Sequence, residues 1–307
     1  ISHIILYLCC VNIVDKSNNF EIKKAILRYL MVYYDGQNDH VNLLIKSKQL
    51  FSLSKENFDY EELPNCTKSI LYSLSKLNQI DKIQEVIEDK TVVRLLPGHT
   101  LLSYKIYSLL KLGNEEEIIR IYEKNKKSLI HKDDPVIIFN VAEAYFRKAQ
   151  YAKAIKMFDR FISKFSYMTY SSYARLRIAL GYDILDKDPK KIMKLYESAI
   201  NRVQIKDVSQ EAKLRYVAFR TIRKNKIDKL DIETRIFLER DSGQKISAEN
   251  MKLLWLVRLR TYIKDKDFKK ALAYLKAIPL NTLRPTDRRV FQADGAEVAY
   301  GLLIEAF

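Results

Sequence analysis

Residues 135–165, PVIIFNVAEAYFRKAQYAKAIKMFDRFISKF, limit the possible fold more than any other stretch of this chain. Apolar side chains recur at helical spacing on one face of its first half, at Ile138, Val141, Ala142 and Tyr145. They recur in the same way in its second half, at Tyr151, Ala154, Phe158 and Phe161. The break at 147–150 is so short that the two helices must form an antiparallel hairpin. We expect Asp133 or Asp134 to cap the first helix and Pro135 to be its first residue.

This spacing resembles that of the tetratricopeptide repeat, a family built from paired helices. The family has a large apolar residue, a small residue four positions later, then Tyr, a small turn residue, Tyr, Ala and Phe. These places are filled here by Ile138, Ala142, Tyr145, Ala149, Tyr151, Ala154 and Phe158. The Trp, Gly and closing Pro of the family are replaced by Ile138, Ala142 and Ser166. The resemblance implies an all-α fold, a right-handed superhelical solenoid of antiparallel helical hairpins whose first helices line the concave face.

The hairpin pattern repeats along the chain. The stretch 72–83, YSLSKLNQIDKI, recurs as 107–118, YSLLKLGNEEEI, after a shift of 35 residues. Gly113 stands at the turn of the second copy where the first copy has Asn78. A large aromatic residue recurs 36 and 38 residues apart along the second helices, at Tyr122, Phe158 and Tyr196. A fixed period of this kind predicts a stack of similar hairpins, each burying its apolar face on its neighbours.

The repeats divide the sequence into three segments. Residues 1–63 are predicted to form divergent N-terminal helical hairpins. Residues 64–283 are predicted to hold about six hairpins like those of the tetratricopeptide repeat, at intervals of 35 to 41 residues. One of these is divergent and turns at 225–228. Residues 284–307 contain one more amphipathic helix, which is either a cap or the start of a truncated repeat.

No pattern in the sequence indicates catalysis or a metal site. The four histidines are scattered without metal-ligand spacing, at His3, His40, His99 and His131. The three cysteines, Cys9, Cys10 and Cys66, show neither metal spacing nor a disulfide framework and are interpreted as buried thiols. The acidic run 115–117 stands at a helix start, where the helix macrodipole favours negative charge. We therefore predict no enzymatic activity, no cofactor and no metal.

The chain is strongly basic. It carries 54 Lys and Arg against 38 Asp and Glu, which gives a formal net charge of +16. Such a balance favours acidic partners, which include acidic protein segments, phosphates and anionic lipid. The alternative interpretation is that the charges only solvate the helix faces.

Basic residues also recur at one position near the end of the first helix of the hairpins. They are Lys76, Lys111, Arg147, Arg223 and Lys264. Other basic and aromatic residues lie four or eight positions earlier on the same stripe, at Lys68, Arg177, Arg215, Arg260, Tyr72, Tyr107, Phe139 and Phe219. Because residues four apart share a helix face, the set predicts a basic and aromatic groove. Two other interpretations stay open, since cations at a helix C-terminus offset its dipole and aromatic residues at helical spacing often belong to the core.

The sequence favours a non-enzymatic scaffold that binds an acidic or extended segment of a partner protein along this groove. The 35-residue shift also resembles the spacing of pentatricopeptide repeats. A first alternative is therefore an RNA-binding protein of the pentatricopeptide type. The irregular intervals argue against nucleic acid, because a protein that reads one base per hairpin should keep a constant pitch. A second alternative is the helical arm of a larger enzyme whose chemistry lies outside this chain.

Residues 154–185 resemble repeats found in bacterial cell-envelope proteins. The resemblance implies an adaptor in a multiprotein envelope assembly of the outer-membrane assembly or flagellar motor type. The expected location is the periplasm, with the cytoplasm as the alternative. No stretch reaches the roughly 20 apolar residues of a membrane span, and the apolar stretch 4–14 is about half that length. Because the chain begins with Ile, we expect it to be a fragment or a processed form.

Overall fold

The computed structural model of the protein describes residues 17, 19–130, 133–201, 205–220 and 246–306. Within those ranges every regular element is a helix and none is a β-strand, which confirms the predicted all-α fold. The chain divides into two compact units, residues 1–150 and 151–307. Each unit is built from helices that pack in chain order.

In the first unit, each helical hairpin packs on the next one. Its described residues form eight helices, which are α1 (Phe20–Gly36), α2 (His40–Glu56), α3 (Leu63–Lys76), α4 (Ile80–Glu88), α5 (Lys90–Leu95), α6 (Gly98–Lys111), α7 (Glu115–Ile130) and α8 (Pro135–Arg147). The hairpins are α1/α2, α3/α4 and α6/α7. Helix α3 packs on α2, and helix α6 packs on both α4 and α8, so that each hairpin contacts the next one.

The second unit follows the same rule of consecutive packing. Its described residues form seven α-helices, which are α9 (Tyr151–Phe165), α10 (Tyr170–Ile184), α11 (Pro189–Asn201), α12 (Lys206–Ala218), α13 (Ala248–Lys264), α14 (Phe268–Ala277) and α15 (Pro285–Ala306). Helix α10 packs on α9 and α11, and α12 packs on α11 and α13. A short 3₁₀ turn, Leu280–Thr282, leads from α14 to α15, which packs on α14 and α13.

The first helices of the hairpins end in the same turn geometry. In each case a residue in the left-handed region follows the helix, with φ between 50° and 73°, at Asn38, Asn78, Gly113, Ala149, Asp186 and Lys266. At the second of these turns, the Asn78 N–H donates to the Ser75 carbonyl oxygen and the Gln79 N–H to the Leu74 carbonyl oxygen. The same pair of bonds recurs at all six turns, and it is the Schellman pattern that satisfies the last carbonyl groups of a helix.

Five of the seven side chains that carry the repeat pattern are buried, and the other two are the exposed turn residue Ala149 and the half-buried Tyr151. Ala142 and Ala154 have no exposed surface, and Tyr145 is only 2% exposed. Within the first unit, the Tyr145 hydroxyl donates to the Glu123 carboxylate at 2.5 Å, and its ring meets that of Tyr122 edge to face. The recurring aromatic residues of the second helices are also buried, at Tyr122, Phe158 and Tyr196. Small residues at the contact let a neighbouring helix come close, and the large rings fill the remaining space.

Some of the sequence predictions fall outside the described residues. They concern the stretch 4–14, the cysteines at 9 and 10, the turn at 225–228 and Arg223. The segments 1–63, 64–283 and 284–307 describe repeats in the sequence and stay predictions.

Candidate anion-binding surface

Two tyrosine–lysine pairs occupy equivalent positions on α3 and α6. Tyr72 and Lys76 lie four residues apart at the C-terminal end of α3, and Tyr107 and Lys111 do so on α6. The Lys76 Nζ atom lies 5.3 Å from the centroid of the Tyr72 ring, and the Lys111 Nζ atom lies 5.6 Å from that of Tyr107. At exposed sites, such cation–π contacts stabilise by roughly 0.5–1 kcal/mol. The rings therefore hold both ammonium groups at helix ends, where the backbone dipole also favours a cation.

The two rings are held in different ways. Tyr107 is half-buried, and its hydroxyl donates to the Ser75 carbonyl oxygen at 3.1 Å, which ties α6 to the last turn of α3. The Tyr72 ring is 37% exposed and meets the ring of His40 edge to face at 5.7 Å. Burial raises the pKa of the Tyr72 phenol, and the negative charge of Asp35 raises it further. Tyr72 therefore stays neutral at physiological pH.

Among the described residues, no carboxylate pairs with Lys68, Lys76 or Lys111 on these helices. Lys76 and Lys111 are exposed, and so is Lys68, two turns before Lys76 on the same stripe of α3. None of the three forms an ion pair with the described residues. We call Lys68, Lys76 and Lys111, together with Tyr72 and Tyr107, the lysine strip.

The next repeat has a different pair at the same positions. Glu143 and Arg147 on α8 stand 36 residues after Tyr107 and Lys111. The Arg147 guanidinium donates to the Leu110 carbonyl oxygen at 3.2 Å. It also donates to the Glu115 carboxylate at 3.1 Å and lies 3.9 Å from that of Glu143, which is 5% exposed. Arg147 is therefore engaged within the chain, where it joins α8 to the α6/α7 turn.

The acidic run at the start of α7 is paired throughout. Glu115 binds Arg147, as described above, and the Glu116 carboxylate accepts from the Lys148 ammonium at 2.7 Å. The hydrogen bond with Lys148 lowers the pKa of Glu116. The Glu117 carboxylate lies 2.5 Å from the Arg120 guanidinium, one turn further along the helix. Glu115 and Glu116 thus tie the start of α7 to the end of α8 and to the turn that follows it. The position of the run at a helix start did not predict this role.

In the second unit, those cations of the predicted groove that the structure describes are paired or half-buried. Arg260 on α13 binds the Asp294 carboxylate of α15 through two hydrogen bonds of 2.9 and 3.3 Å, and Asp294 is 8% exposed. The Arg215 Nε atom lies 2.8 Å from the Glu211 carboxylate on its own helix. The other two, Arg177 on α10 and Lys264 on α13, are half-buried and make further interactions.

The sequence analysis did not predict ion pairs between residues that lie about one repeat length apart in the chain. Lys24 and Arg28 of α1 pair with Asp59 and Glu62, which lie 35 and 34 residues later in the segment before α3. The 34-residue separation between Arg28 and Glu62 is also the separation between Arg260 and its partner Asp294. An acidic residue about one repeat length after a first-helix cation is the signal that could have found these pairs.

No protein-family model matches the chain. A search of curated proteins gives no significant match either. Among the described residues, no cluster of three or more His, Cys, Asp or Glu side chains is arranged to hold a metal ion. None of the helices in those ranges is both long enough and apolar enough to cross a membrane. Cys66 is free and buried, and burial raises the pKa of its thiol to about 12, which makes it a poor nucleophile.

Proposed function

We propose that the protein is a non-enzymatic helical-repeat scaffold that binds an acidic, extended segment of a partner protein on the lysine strip. The observation that carries this proposal is a difference between cations at related positions. Lys76 and Lys111 have no carboxylate partner in the described part of the chain, whereas Arg147, Arg215 and Arg260 each have one. An ammonium group without an internal partner keeps its full attraction for a carboxylate that arrives from outside.

The expected affinity comes from several modest contacts. An exposed ion pair contributes about 0.2–1 kcal/mol, so a single lysine would not retain a partner. Tyr72 adds an exposed, rigid ring between Lys68 and Lys76, and aromatic side chains often carry binding energy at protein interfaces. The net charge of +16 should also speed the encounter with an acidic chain, in a manner that salt weakens.

RNA is the second candidate ligand, and the strip favours it less. A base needs an open ring face on which to stack. Lysine ammonium groups lie over both rings, and the Tyr107 hydroxyl is bound to the Ser75 carbonyl oxygen. The positive-φ residues that follow the first helices, from Asn38 to Asp186, are also spaced 40, 35, 36 and 37 residues apart. Such drift does not suit a protein that reads one base per hairpin.

The proposed architecture is the right-handed superhelical solenoid of the tetratricopeptide type. It is supported by the recurring turn at the end of the first helices and by the packing of each hairpin on the next within a unit. A place in a bacterial envelope assembly, in the periplasm, depends on the resemblance of residues 154–185 and stays a prediction.

A double charge reversal tests the proposed function. The Lys76→Glu/Lys111→Glu variant is compared with Lys48→Glu/Lys82→Glu, which has the same net charge and alters exposed lysines of α2 and α4. Binding of a fluorescein-labelled peptide of alternating Glu and Ser is followed by fluorescence anisotropy at low salt. We expect the strip variant to lose about tenfold in affinity or more, equivalent to about 1.4 kcal/mol, and the control to change by less than about twofold.

The control also separates local binding from the effect of net charge. Equal losses in the two variants would show that the peptide responds only to total charge, and the lysine strip would then not be the site. Labelled oligouridine of the same length is measured in parallel. If it bound more tightly than the peptide and lost affinity in the strip variant, the ligand would be single-stranded RNA.

A further inference from the structure

The lysine strip is bounded on both sides by cations that the chain has already neutralised. Arg28 on α1 stands 40 residues before Lys68, which is also the interval between the turns that end the two helices, and it pairs with Glu62. On the other side, Arg147 on α8 stands 36 residues after Lys111 and pairs with Glu115. The position equivalent to Lys68 on α1 and the position equivalent to Lys111 on α8 are thus each occupied by a cation in an internal ion pair.

We infer that, if the proposed function is right, the strip selects a segment whose carboxylates are three residues apart, and that Glu115 ends the site by neutralising Arg147. The inferred ligand is an extended acidic peptide that crosses α3 and α6. Its successive carboxylates contact the ammonium groups of Lys76 and Lys111.

The spacing follows from the way α3 and α6 are joined. The hydrogen bond from Tyr107 to the Ser75 carbonyl oxygen brings the C-terminal ends of the two helices together, with Lys76 and Lys111 at equivalent places. Neighbouring helix axes lie roughly 8–10 Å apart. A peptide in the polyproline II conformation advances about 3.1 Å per residue and returns to the same face every third residue, so side chains three residues apart span that distance on one side. Carboxylates on adjacent residues of a peptide would leave one of the two lysines without a partner.

Lys68 offers a different path for the peptide, which the experiment must separate. It precedes Lys76 by eight residues on α3, which corresponds to about 12 Å along the helix axis. A peptide that followed α3 would use Lys68 and Lys76 and would not need Lys111. We favour the crossing path because Lys76 and Lys111, unlike Lys68, lie over tyrosine rings of the described residues, at equivalent positions of two repeats.

Two peptides of identical composition test the spacing. Both contain about twelve residues of Glu and Ser, with the glutamates at every third position in one and as an adjacent pair at each end in the other, where no two glutamates are three residues apart. We expect the spaced peptide to bind about two- to fivefold more tightly, since it forms one more exposed ion pair. We also expect Lys111→Glu to remove this preference and Lys68→Glu to leave it in place.

Each result decides a different claim. If both peptides bind equally and both depend on Lys76 and Lys111, the spacing rule fails and the proposed function stands. If the preference depends on Lys68 and not on Lys111, the peptide follows α3 and the crossing path is wrong. If neither peptide binds, the proposed function fails together with the inference.

A gain of affinity tests the boundary of the site. Glu115→Gln removes the carboxylate nearest to Arg147, whereas Glu117→Gln changes the charge equally on the same helix but releases Arg120 instead. We expect the first variant to bind the spaced peptide about twofold more tightly than the wild type, and the second to leave the affinity unchanged. Equal gains in the two variants, or no gain in either, would show that Glu115 does not limit the site.

Discussion

At the scale of single residues, the hairpins depend on one backbone conformation that most side chains avoid. The residue after the first helix is in the left-handed region at all six described turns, and only one of the six residues is a glycine. For a residue with a side chain, this conformation costs roughly 1–2 kcal/mol relative to glycine. Ala149 and Lys266 adopt it with φ of 58°, because the two hydrogen bonds of the turn require it there.

Replacing Gly113 with Ala should lower the free energy of unfolding by about 1 kcal/mol. The cost arises only from the backbone, because Gly113 has φ of +73° and no atom lies within 4 Å of the added Cβ. Gly36→Ala is the matched control, because a Cβ added at Gly36 also has no atom within 4 Å. Gly36 is the last residue of α1 and does not have a positive φ. The control should leave stability unchanged or raise it slightly. Urea unfolding of both variants checks this, and equal losses would contradict the assigned role of the turn.

Acid should weaken the cap of α5. The Asp89 carboxylate accepts from the Thr91 and Val92 N–H groups at 2.7 and 3.1 Å, and these bonds hold its pKa below the usual value. A carboxyl whose folded pKa is lowered adds stability above its unfolded pKa of about 3.9, and this is lost as the pH falls through the folded value. Asp89→Asn keeps a capping side chain but cannot titrate. The free energy of unfolding should therefore fall less steeply below about pH 4 in the variant, and identical slopes would refute the assignment.

The residue scale also shows why only part of the site could be predicted. The Tyr72/Lys76 and Tyr107/Lys111 pairs are visible in the sequence because both partners lie on one helix, four residues apart. The partner of Arg147 is not visible in the sequence, because Glu115 lies 32 residues away and contacts Arg147 only when two hairpins pack. Sequence reasoning therefore grouped Arg147 with the lysines, although its charge is already used inside the chain.

At the scale of helices, close packing is made possible by small residues at the contact. Gly301 on α15 lies against Phe268 on α14, and a Cβ built at Gly301 would stand 2.4 Å from the Phe268 ring. Non-bonded carbon atoms do not approach so closely, so a side chain at Gly301 must displace the Phe268 ring or the helix. The glycine is thus required by its neighbour and not by its own backbone conformation.

Gly301→Ala should destabilise the protein by about 1–3 kcal/mol, because it overpacks the contact between α14 and α15. Phe268→Leu removes part of the obstructing ring and should recover part of the loss when it is combined with Gly301→Ala. Thermal unfolding of the two single variants and the double variant provides the cycle. Strictly additive losses would show that the two residues do not meet.

Helices were predicted well where their apolar pattern is long. The pattern over residues 135–165 predicted two helices and a short break, and the structure has α8 and α9 separated by three residues. The short helix α5 was not predicted, because six residues hold too little periodicity to separate helix from turn. Its start is nevertheless encoded, since the Asp89 backbone N–H donates to the last turn of α4 and the Asp89 side chain caps α5.

At the scale of the whole molecule, the positive charge is divided between two uses. Some cations join a helix to the next helix but one, as Arg260 on α13 does through Asp294 on α15 in the second unit. In the first unit, Arg28 on α1 does so through Glu62, the residue before α3. Others, on the lysine strip, have no such partner among the described residues. The total of +16 was readable from the sequence, but this division was not, because it depends on which side chains the packing brings together.

The central claim is that an acidic segment binds across α3 and α6, and photo-crosslinking tests it most directly. A glutamate-rich peptide with a photoreactive residue at its centre is irradiated with the full chain, and the crosslinked fragments are identified by mass spectrometry. We predict crosslinks within residues 68–76 and 103–111, and their loss in the Lys76→Glu/Lys111→Glu variant. Crosslinks that fall mainly in the second unit, or that persist unchanged in the variant, would contradict the account.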